Sequence, residues 1–181
     1  MFKQGVFGKD IYDDKYYTNH FYIFKYDGDI RKLLLNYKFR EKPYLYRSLI
    51  KFLKKYQKTY LQFDFYDIII PVPISKNRIK TRGYNQSELI AKELSNTLNI
   101  KSENKVLIKI KNNLQQSLLD KDSRTQNVQN VYKVTNYDKI FDKKILLIDD
   151  IYTTGSTLNE CAKMLKKAGS KKIDIFTIAK D

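Results

Sequence analysis

Residues 145–157 read ILLIDDIYTTGST, and this stretch constrains the chain more than any other. Ile145, Leu146, Leu147 and Ile148 are all apolar and fit a strand buried on both faces. Asp149 and Asp150 end that run. Thr153, Thr154, Gly155, Ser156 and Thr157 then form a short hydroxyl-rich loop, and a helical pattern starts directly after it. Such an order of parts suits a sugar phosphate. Loop amides and a helix dipole favour the anionic phosphate. The hydroxyls add donors, and Gly155 permits close backbone approach or a turn with positive φ. The two carboxylates stand where ribose hydroxyls, or a metal carried with the ligand, would lie. Thr and Gly are also ordinary in β–loop–α turns, and Asp is ordinary at strand ends. The paired acids directly after an apolar strand favour the ligand reading. The loop is neither a Walker A motif nor a dinucleotide fingerprint, since G-x-x-x-x-G-K-[ST] and G-x-G-x-x-G are absent.

The rest of the chain supplies the frame. Its 181 residues suit one α/β domain with extensions. His20 to Tyr26 reads as a strand, followed by an Asp27-Gly28 turn. Asp29 is placed to cap a helix carrying Ile30, Leu33, Leu34 and Tyr37. A second helix is expected after Pro43, with Tyr46, Leu49, Ile50, Leu53 and Tyr56 as its core stripe. Residues 67–72 (DIIIPV) form another buried strand. The basic loop ISKNRIKTRG follows it, with Lys76, Arg78, Lys80 and Arg82 beyond the strand's carboxyl end, where open α/β sheets bind ligands. A solvated charge run is the competing reading. Asn85 reads as an N-cap with Glu88 at capping-box spacing, before a helix that buries Leu89, Ile90, Leu94 and Leu98. Residues 105–111 alternate like a strand. Residues 112–127 read as a long flexible loop with one helical turn at 118–121, and 128–134 as a short strand. A helix over 157–168, ended by Gly169, precedes the last strand at 173–178. This order implies a mostly parallel sheet flanked by helices. Residues 1–20 read as an N-terminal extension or edge element, and 21–181 as the main domain.

Lys plus Arg number 35 and Asp plus Glu 20, a net charge of +15 that favours anionic partners, either nucleic acid or a phosphorylated substrate. Lys, Asn, Ile, Tyr and Phe are abundant together, as AT-rich codon usage also produces. One Cys (Cys161, expected in a helix core) and one His (His20) exclude an internal disulfide or a Cys/His zinc cluster. No secretory pattern opens the chain, and no apolar run approaches the roughly 20 residues of a membrane span. A reducing, cytoplasmic setting is the expectation.

IDDIYTTGSTLNECAKMLKKAGSKKIDIFTIAK resembles the phosphoribosyl pyrophosphate (PRPP) loop of type I phosphoribosyltransferases. Three further segments resemble the competence protein F (ComF) family. They are YDGDIRKLLLNYKFR, PVPISKNRIKTRGYNQSELIAKELS (with RGYNQ for a characteristic RGFNQ) and IKNNLQQSLLDKDSRTQNVQNVYKV. The resemblance implies a type I phosphoribosyltransferase-like fold with a flexible hood loop. It implies that Asp149 and Asp150 hold the ribose, and that Thr153, Thr154, Gly155, Ser156 and Thr157 hold the 5-phosphate. Val72, Pro73, Ile74 and Ser75 would meet the diphosphate through backbone amides. Arg78 and Arg82 would neutralise it, and Arg124 would close over the ligand from the hood. Mg²⁺ would arrive with PRPP, held chiefly by ligand oxygens and water. Many relatives carry a four-cysteine zinc module ahead of this domain. Residues 1–20 contain no Cys, so no zinc is expected, and nucleic-acid contacts of that module do not transfer.

Three functions stay open at this stage. One is a PRPP-binding protein that supports natural transformation by handling incoming single-stranded DNA, with Lys76, Arg78, Lys80 and Arg82 as candidate contacts and a helicase-like competence partner implied by the resemblance. The second is an active phosphoribosyltransferase with an unknown acceptor. The third is a PRPP-sensing regulatory module. Neither a general base nor an acceptor pocket is legible.

Overall fold

A five-stranded sheet, shielded on both faces, carries the molecule. The computed structural model describes residues 8–39, 65–111 and 130–181. The helix expected after Pro43, the helical turn at 118–121 and the hood residue Arg124 lie outside these residues. The strands are β1 (Gly8–Ile11), β2 (Asn19–Lys25), β3 (Ile68–Pro71), β6 (Lys144–Tyr152) and β7 (Lys172–Lys180). Their spatial order is β1-β2-β7-β6-β3. The central pairs are parallel, and β1 runs antiparallel to β2 at the edge. Fully apolar strands belong in such a sheet because both faces are covered. In β6, Ile145, Leu146, Leu147 and Ile148 are all fully buried, as their sequence predicts.

The helices are α1 (Gly28–Phe39), α2 (Lys76–Arg82), α3 (Gln86–Leu98) and α4 (Ser156–Lys167). One face of the sheet packs Leu146, Ile148, Phe176 and Ile178 against Ile90, Ala91 and Leu94 of α3 and Leu34 of α1. The opposite face packs Ile145, Leu147, Ile173 and Ile175 against Leu158, Cys161, Ala162 and Leu165 of α4. A two-stranded antiparallel sheet, β4 (Leu107–Lys109) with β5 (Tyr132–Val134), covers this second face near α4. Residues 101–103 screen the outer edge of β3, through Ile69 N–H to Lys101 O (2.8 Å) and Glu103 N–H to Ile69 O (3.0 Å).

Several boundaries depart from the sequence expectation. β6 does not stop at the acids but runs through Asp149 and Asp150 to Tyr152. Across these two residues the side-chain alternation reverses. Ile148 and Ile151 pack on the α3 side, and Tyr152 joins the α4 side. Simple alternation hides such a slip, so the polar pair imitates a strand end. Ser156 and Thr157 accordingly open α4 rather than close the loop. The basic loop is also a helix, α2. Ser75 caps its start by accepting from Arg78 N–H at 3.3 Å, and Gly83 ends it at φ 76°. Its sequence offers no apolar stripe, and none of its residues is buried, so periodicity could not reveal it. Asp29 lies inside the first turn of α1 rather than at its cap. Gly169 closes α4 as expected, at φ 88°, with Ser170 N–H reaching Leu165 O and Gly169 N–H reaching Lys166 O.

Candidate functional site

The carboxyl ends of β3 and β6 bring most of the predicted residues together. Asp149 accepts a hydrogen bond from Ser87 Oγ, in the first turn of α3, at 2.8 Å. The Asp150 N–H donates to Asp149 Oδ1 and the Ile151 N–H to Asp150 Oδ1, both at 2.9 Å. Both acids are therefore held by local backbone, and Asp150 is buried. Such anchoring fixes carboxylates for contact with polyol hydroxyls or with metal-bound water.

Beyond β6 the chain turns through Thr153, Thr154 and Gly155. Thr153 is exposed and Thr154 half-buried. Thr154 Oγ1 and Ser156 Oγ lie 2.9 Å apart, which ties the turn across its base. Gly155 sits at the N-cap of α4 with φ 72° and brings no side-chain acceptor to the first-turn amides. That is the place an anion takes at a helix start. Glycine is required here twice over. The φ is left-handed, and a Cβ would meet Tyr152 Oη at 2.5 Å.

The loop after β3 leaves the sheet at the same, carboxyl end as this turn. Val72 extends the sheet by one bond, its N–H donating to Ile148 O at 2.9 Å. Asn85 does more than cap α3. Its Oδ1 accepts from Ser87 N–H at 3.1 Å, and its Nδ2 donates to Val72 O at 3.0 Å. The side chain therefore fixes the Val72–Pro73 peptide. The expected capping-box reach of Glu88 has a competitor, since its Oε1 accepts from Asn104 Nδ2. Pro73 and Ile74 are half-buried, and Ser75 spends its hydroxyl on capping α2.

Helical spacing sorts the four cations of α2 into two sets. Arg78 and Arg82, four residues apart, are half-buried, whereas Lys76 and Lys80 are exposed. Burial and the neighbouring Arg78 lower the Arg82 guanidinium from its ordinary value, and Asp150 acts the other way. Arg82 thus feels Arg78 as a like charge, which a bound polyanion would relieve.

Sequence reasoning missed Lys109. Alternation in KVLIKIK marks a strand and says nothing of which face its lysines take. In the structure Leu107, Lys109, Tyr132 and Val134 share the inner face of the β4–β5 sheet, while Lys133 faces out and Ile110 is half exposed. The Lys109 ammonium lies 5.6 Å from the centroid of the Tyr132 ring. Tyr132 in turn packs in the cluster that holds Leu158 and Cys161 of α4. Burial first, then Arg78, pushes the Lys109 ammonium down to about 8. Cys161 is fully buried with its thiol raised by burial, so it packs the core. Among the described residues no group of three His, Cys, Asp or Glu could hold a metal ion, and no helix is long and apolar enough to cross a membrane.

Comparison with known proteins gives the family. A model of the phosphoribosyl transferase domain matches residues 80–181. Competence protein F of Haemophilus influenzae is 33% identical over 153 residues, covering 82% of this chain and 66% of that protein. Competence protein ComFC of Streptococcus pneumoniae is 28% identical over 163 residues, covering 90% of this chain and 69% of that protein. The DNA utilization protein YhgH of Escherichia coli (strain K12) is 26% identical over 132 residues, covering 73% and 56%. The chain thus spans between 56% and 69% of these relatives' lengths. Among solved structures, a purine phosphoribosyltransferase from Pyrococcus horikoshii aligns with a TM-score of 0.43 at 16% identity, covering 75% of this chain and 82% of that one. An allosteric regulatory enzyme of purine biosynthesis aligns with a TM-score of 0.46 at 21% identity, covering 72% and 25%. With the family model matching more than half of its residues and its relatives carrying the competence names, the chain belongs to the phosphoribosyl transferase domain family, as a ComF-type member.

Proposed function

We propose that this chain binds PRPP with Mg²⁺ and supports natural transformation by handling incoming single-stranded DNA in the cytoplasm. One observation carries the ligand assignment. An anchored acid pair, a glycine-capped helix start and two crowded arginines meet at the carboxyl ends of neighbouring parallel strands. A ribose bearing one phosphate and one diphosphate offers hydroxyl donors to the acids and two anionic groups to the helix start and the arginines. In this reading Asp149 and Asp150 face the ribose hydroxyls, and the Thr153–Thr157 turn holds the 5-phosphate. The backbone from Val72 to Ser75, with Arg78 and Arg82, takes the diphosphate. Carboxylate oxygens fit Mg²⁺ bound through water and ligand oxygens, and no third acid joins them among the described residues.

Calorimetry with PRPP and Mg²⁺ tests the site directly. The native chain should bind, and Asp149→Ala/Asp150→Ala should not. Equal heats for both chains would remove the assignment. The DNA reading draws on the +15 charge and the competence-named relatives. Fluorescence anisotropy with a labelled single strand across a salt series tests it, and no binding even at low ionic strength sinks it. A helicase-like partner belongs to the same reading.

The crowded cations favour a second reading, an active phosphoribosyltransferase. In that reaction a nucleophile attacks C1 of the ribose, the C1–O bond breaks and diphosphate leaves with the electron pair. Arg78 and Arg82 would stabilise the departing charge. Acceptor-dependent diphosphate release, abolished by Asp150→Asn, is the expected signature. Tight PRPP binding without release for any acceptor leaves a sensing role instead.

A further inference from the structure

We propose that the amino end of the sheet, opposite the ligand site, is the face that meets single-stranded DNA, with Phe141 and Phe65 stacking on bases and the lysines around them taking phosphates. The inference rests on the single-strand reading above and gives it a surface that no motif marks. Three segments lead into neighbouring parallel strands there: 65–67 into β3, 137–143 into β6 and 168–171 into β7. Backbone hydrogen bonds hold them together. Asp142 N–H donates to Gly169 O, Lys171 N–H to Lys143 O and Asp67 N–H to Lys144 O, each at 2.9 Å. Phe141 lies directly against Gly169, where a Cβ would meet its ring at 2.7 Å, yet it is 67% exposed. Phe65 is 42% exposed, and the Lys172 ammonium lies 5.8 Å from its ring centroid. Tyr137 is 56% exposed, and its carbonyl accepts from Phe141 N–H at 2.9 Å. Single exposed rings are ordinary, but three gathered at one end of a sheet mark a contact surface.

Charge chooses the partner. Residues 65–67, 137–144 and 166–172 hold seven lysines against Asp67, Asp138 and Asp142. Lys172 is spent on buried Asp174 at 2.9 Å, and Lys139 on Glu103 at 2.9 Å. Lys143, Lys144 and Lys167 form no ion pair among the described residues. Lysines in the last turn of α4 also suit its dipole, but that does not account for rings left open beside them. Cations interleaved with open aromatic faces fit an anionic polymer that offers unpaired bases. A duplex keeps its bases stacked and gives the rings nothing to meet. A second copy of this chain would set like charges against each other. β6 is nine residues long, so at about 3.3 Å per residue this face stands about 25 Å from the Thr153–Gly155 turn. A strand can therefore lie here while the ligand site is filled.

The test is fluorescence anisotropy with a labelled oligothymidylate across a salt series. The native chain, Phe141→Ala, Phe141→Tyr and Lys143→Gln/Lys171→Gln are compared, with thermal unfolding of each to show that it folds. Phe141→Ala should weaken binding by roughly fivefold or more, the loss of one stacked base, with the salt slope unaltered because the ring carries no charge. Phe141→Tyr should keep the native affinity. The lysine pair should lower the salt slope by about 1.4, at about 0.7 per phosphate contact. Binding of a duplex of the same length should be insensitive to Phe141→Ala. Native affinity in Phe141→Ala together with a native salt slope in the lysine pair overturns the surface and leaves the single-strand reading standing. Equal losses for strand and duplex in Phe141→Ala overturn the stacking role. Should Phe141→Ala not fold, the lysine pair decides alone. If the native chain binds no single strand at low ionic strength, the reading and the surface fall together.

Discussion

The hydroxyls of Tyr17 and Tyr152 lie 3.1 Å apart in the core, and this contact joins the N-terminal segment to the candidate phosphate turn. Tyr152 is the last residue of β6. Its ring stacks on His20 at 4.4 Å and lies directly under Gly155. Tyr12 packs edge-on to Tyr17 at 5.4 Å, and the Tyr16 N–H donates to Asn159 Oδ1 of α4 at 3.0 Å. Residues 12–17 thus form a brace beneath the turn. Burial pushes the Tyr17 hydroxyl up to about 12, so it stays protonated and able to donate.

Tyr17→Phe keeps the ring and deletes the hydroxyl. A buried hydrogen bond contributes about 1 kcal/mol net, so chemical denaturation should show a loss of that order. If the brace sets the turn, ribose 5-phosphate affinity should drop a few-fold as well. A stability loss with unaltered affinity would confine Tyr17 to packing.

His20 gives a pH dependence with a defined sign. It is fully buried, its Nε2 lies 2.8 Å from Thr177 Oγ1, and its Nδ1 has no hydrogen-bond partner. Burial, the largest effect, holds its pKa at about 3, below the ordinary 6.5, with Asp10 acting upward and Lys180 downward. The unfolded chain therefore binds a proton near pH 6.5 that the folded chain refuses. Stability is full above pH 6.5 and declines as pH falls toward 3. Between pH 7 and 5 the loss should reach about 2 kcal/mol, from the linkage relation. His20 is the sole histidine, and carboxylates ordinarily titrate lower, so this window isolates it. Urea melts at the two pH values measure the slope, and His20→Gln should flatten it. A native slope near zero would mean the ring is hydrated or protonated in the fold.

Much of this architecture was legible in the chain itself. Residues 145–148 announce a doubly buried strand because no position tolerates a polar side chain. Gly155 and Gly169 mark turns because both adopt positive φ. The ends of elements were less legible. Asp149 and Asp150 look like a strand terminus, yet their carboxylates bond neighbouring amides and the strand continues. α2 has two good caps and no apolar face, so only Ser75 and Gly83 hinted at a helix. Lys109 gave no signal at all, since inward placement depends on the pairing of β4 with β5 and not on local sequence.

Asn85 separates capping from site building. Asn85→Ala removes both bonds and should cost about 1–2 kcal/mol through the lost cap alone. Asn85→Asp keeps an acceptor for Ser87 N–H but replaces the donor to Val72 O with a second acceptor. Capping alone predicts near-native stability and PRPP affinity for this variant. The observed pair of bonds predicts a further loss in both, because the Val72–Pro73 peptide is released and faces a like dipole. Denaturation and calorimetry on the two variants decide between them.

The two faces of α2 give the sharpest separation of ligands. Lys76 and Lys80 are exposed, whereas Arg78 and Arg82 are half-buried on the other face. Lys76→Gln/Lys80→Gln should leave PRPP affinity unchanged, since neither lysine lies on the inner face. If the outer face meets single-stranded DNA, the salt slope of binding should fall by roughly 0.7 per lost phosphate contact, about 1.4 for the pair. Arg78→Gln/Arg82→Gln should do the reverse, abolishing PRPP binding with a smaller effect on the strand. An unaltered salt slope in the lysine pair would move the DNA contacts away from α2. Equal losses of PRPP binding in both pairs would mean the helix faces are not functionally distinct.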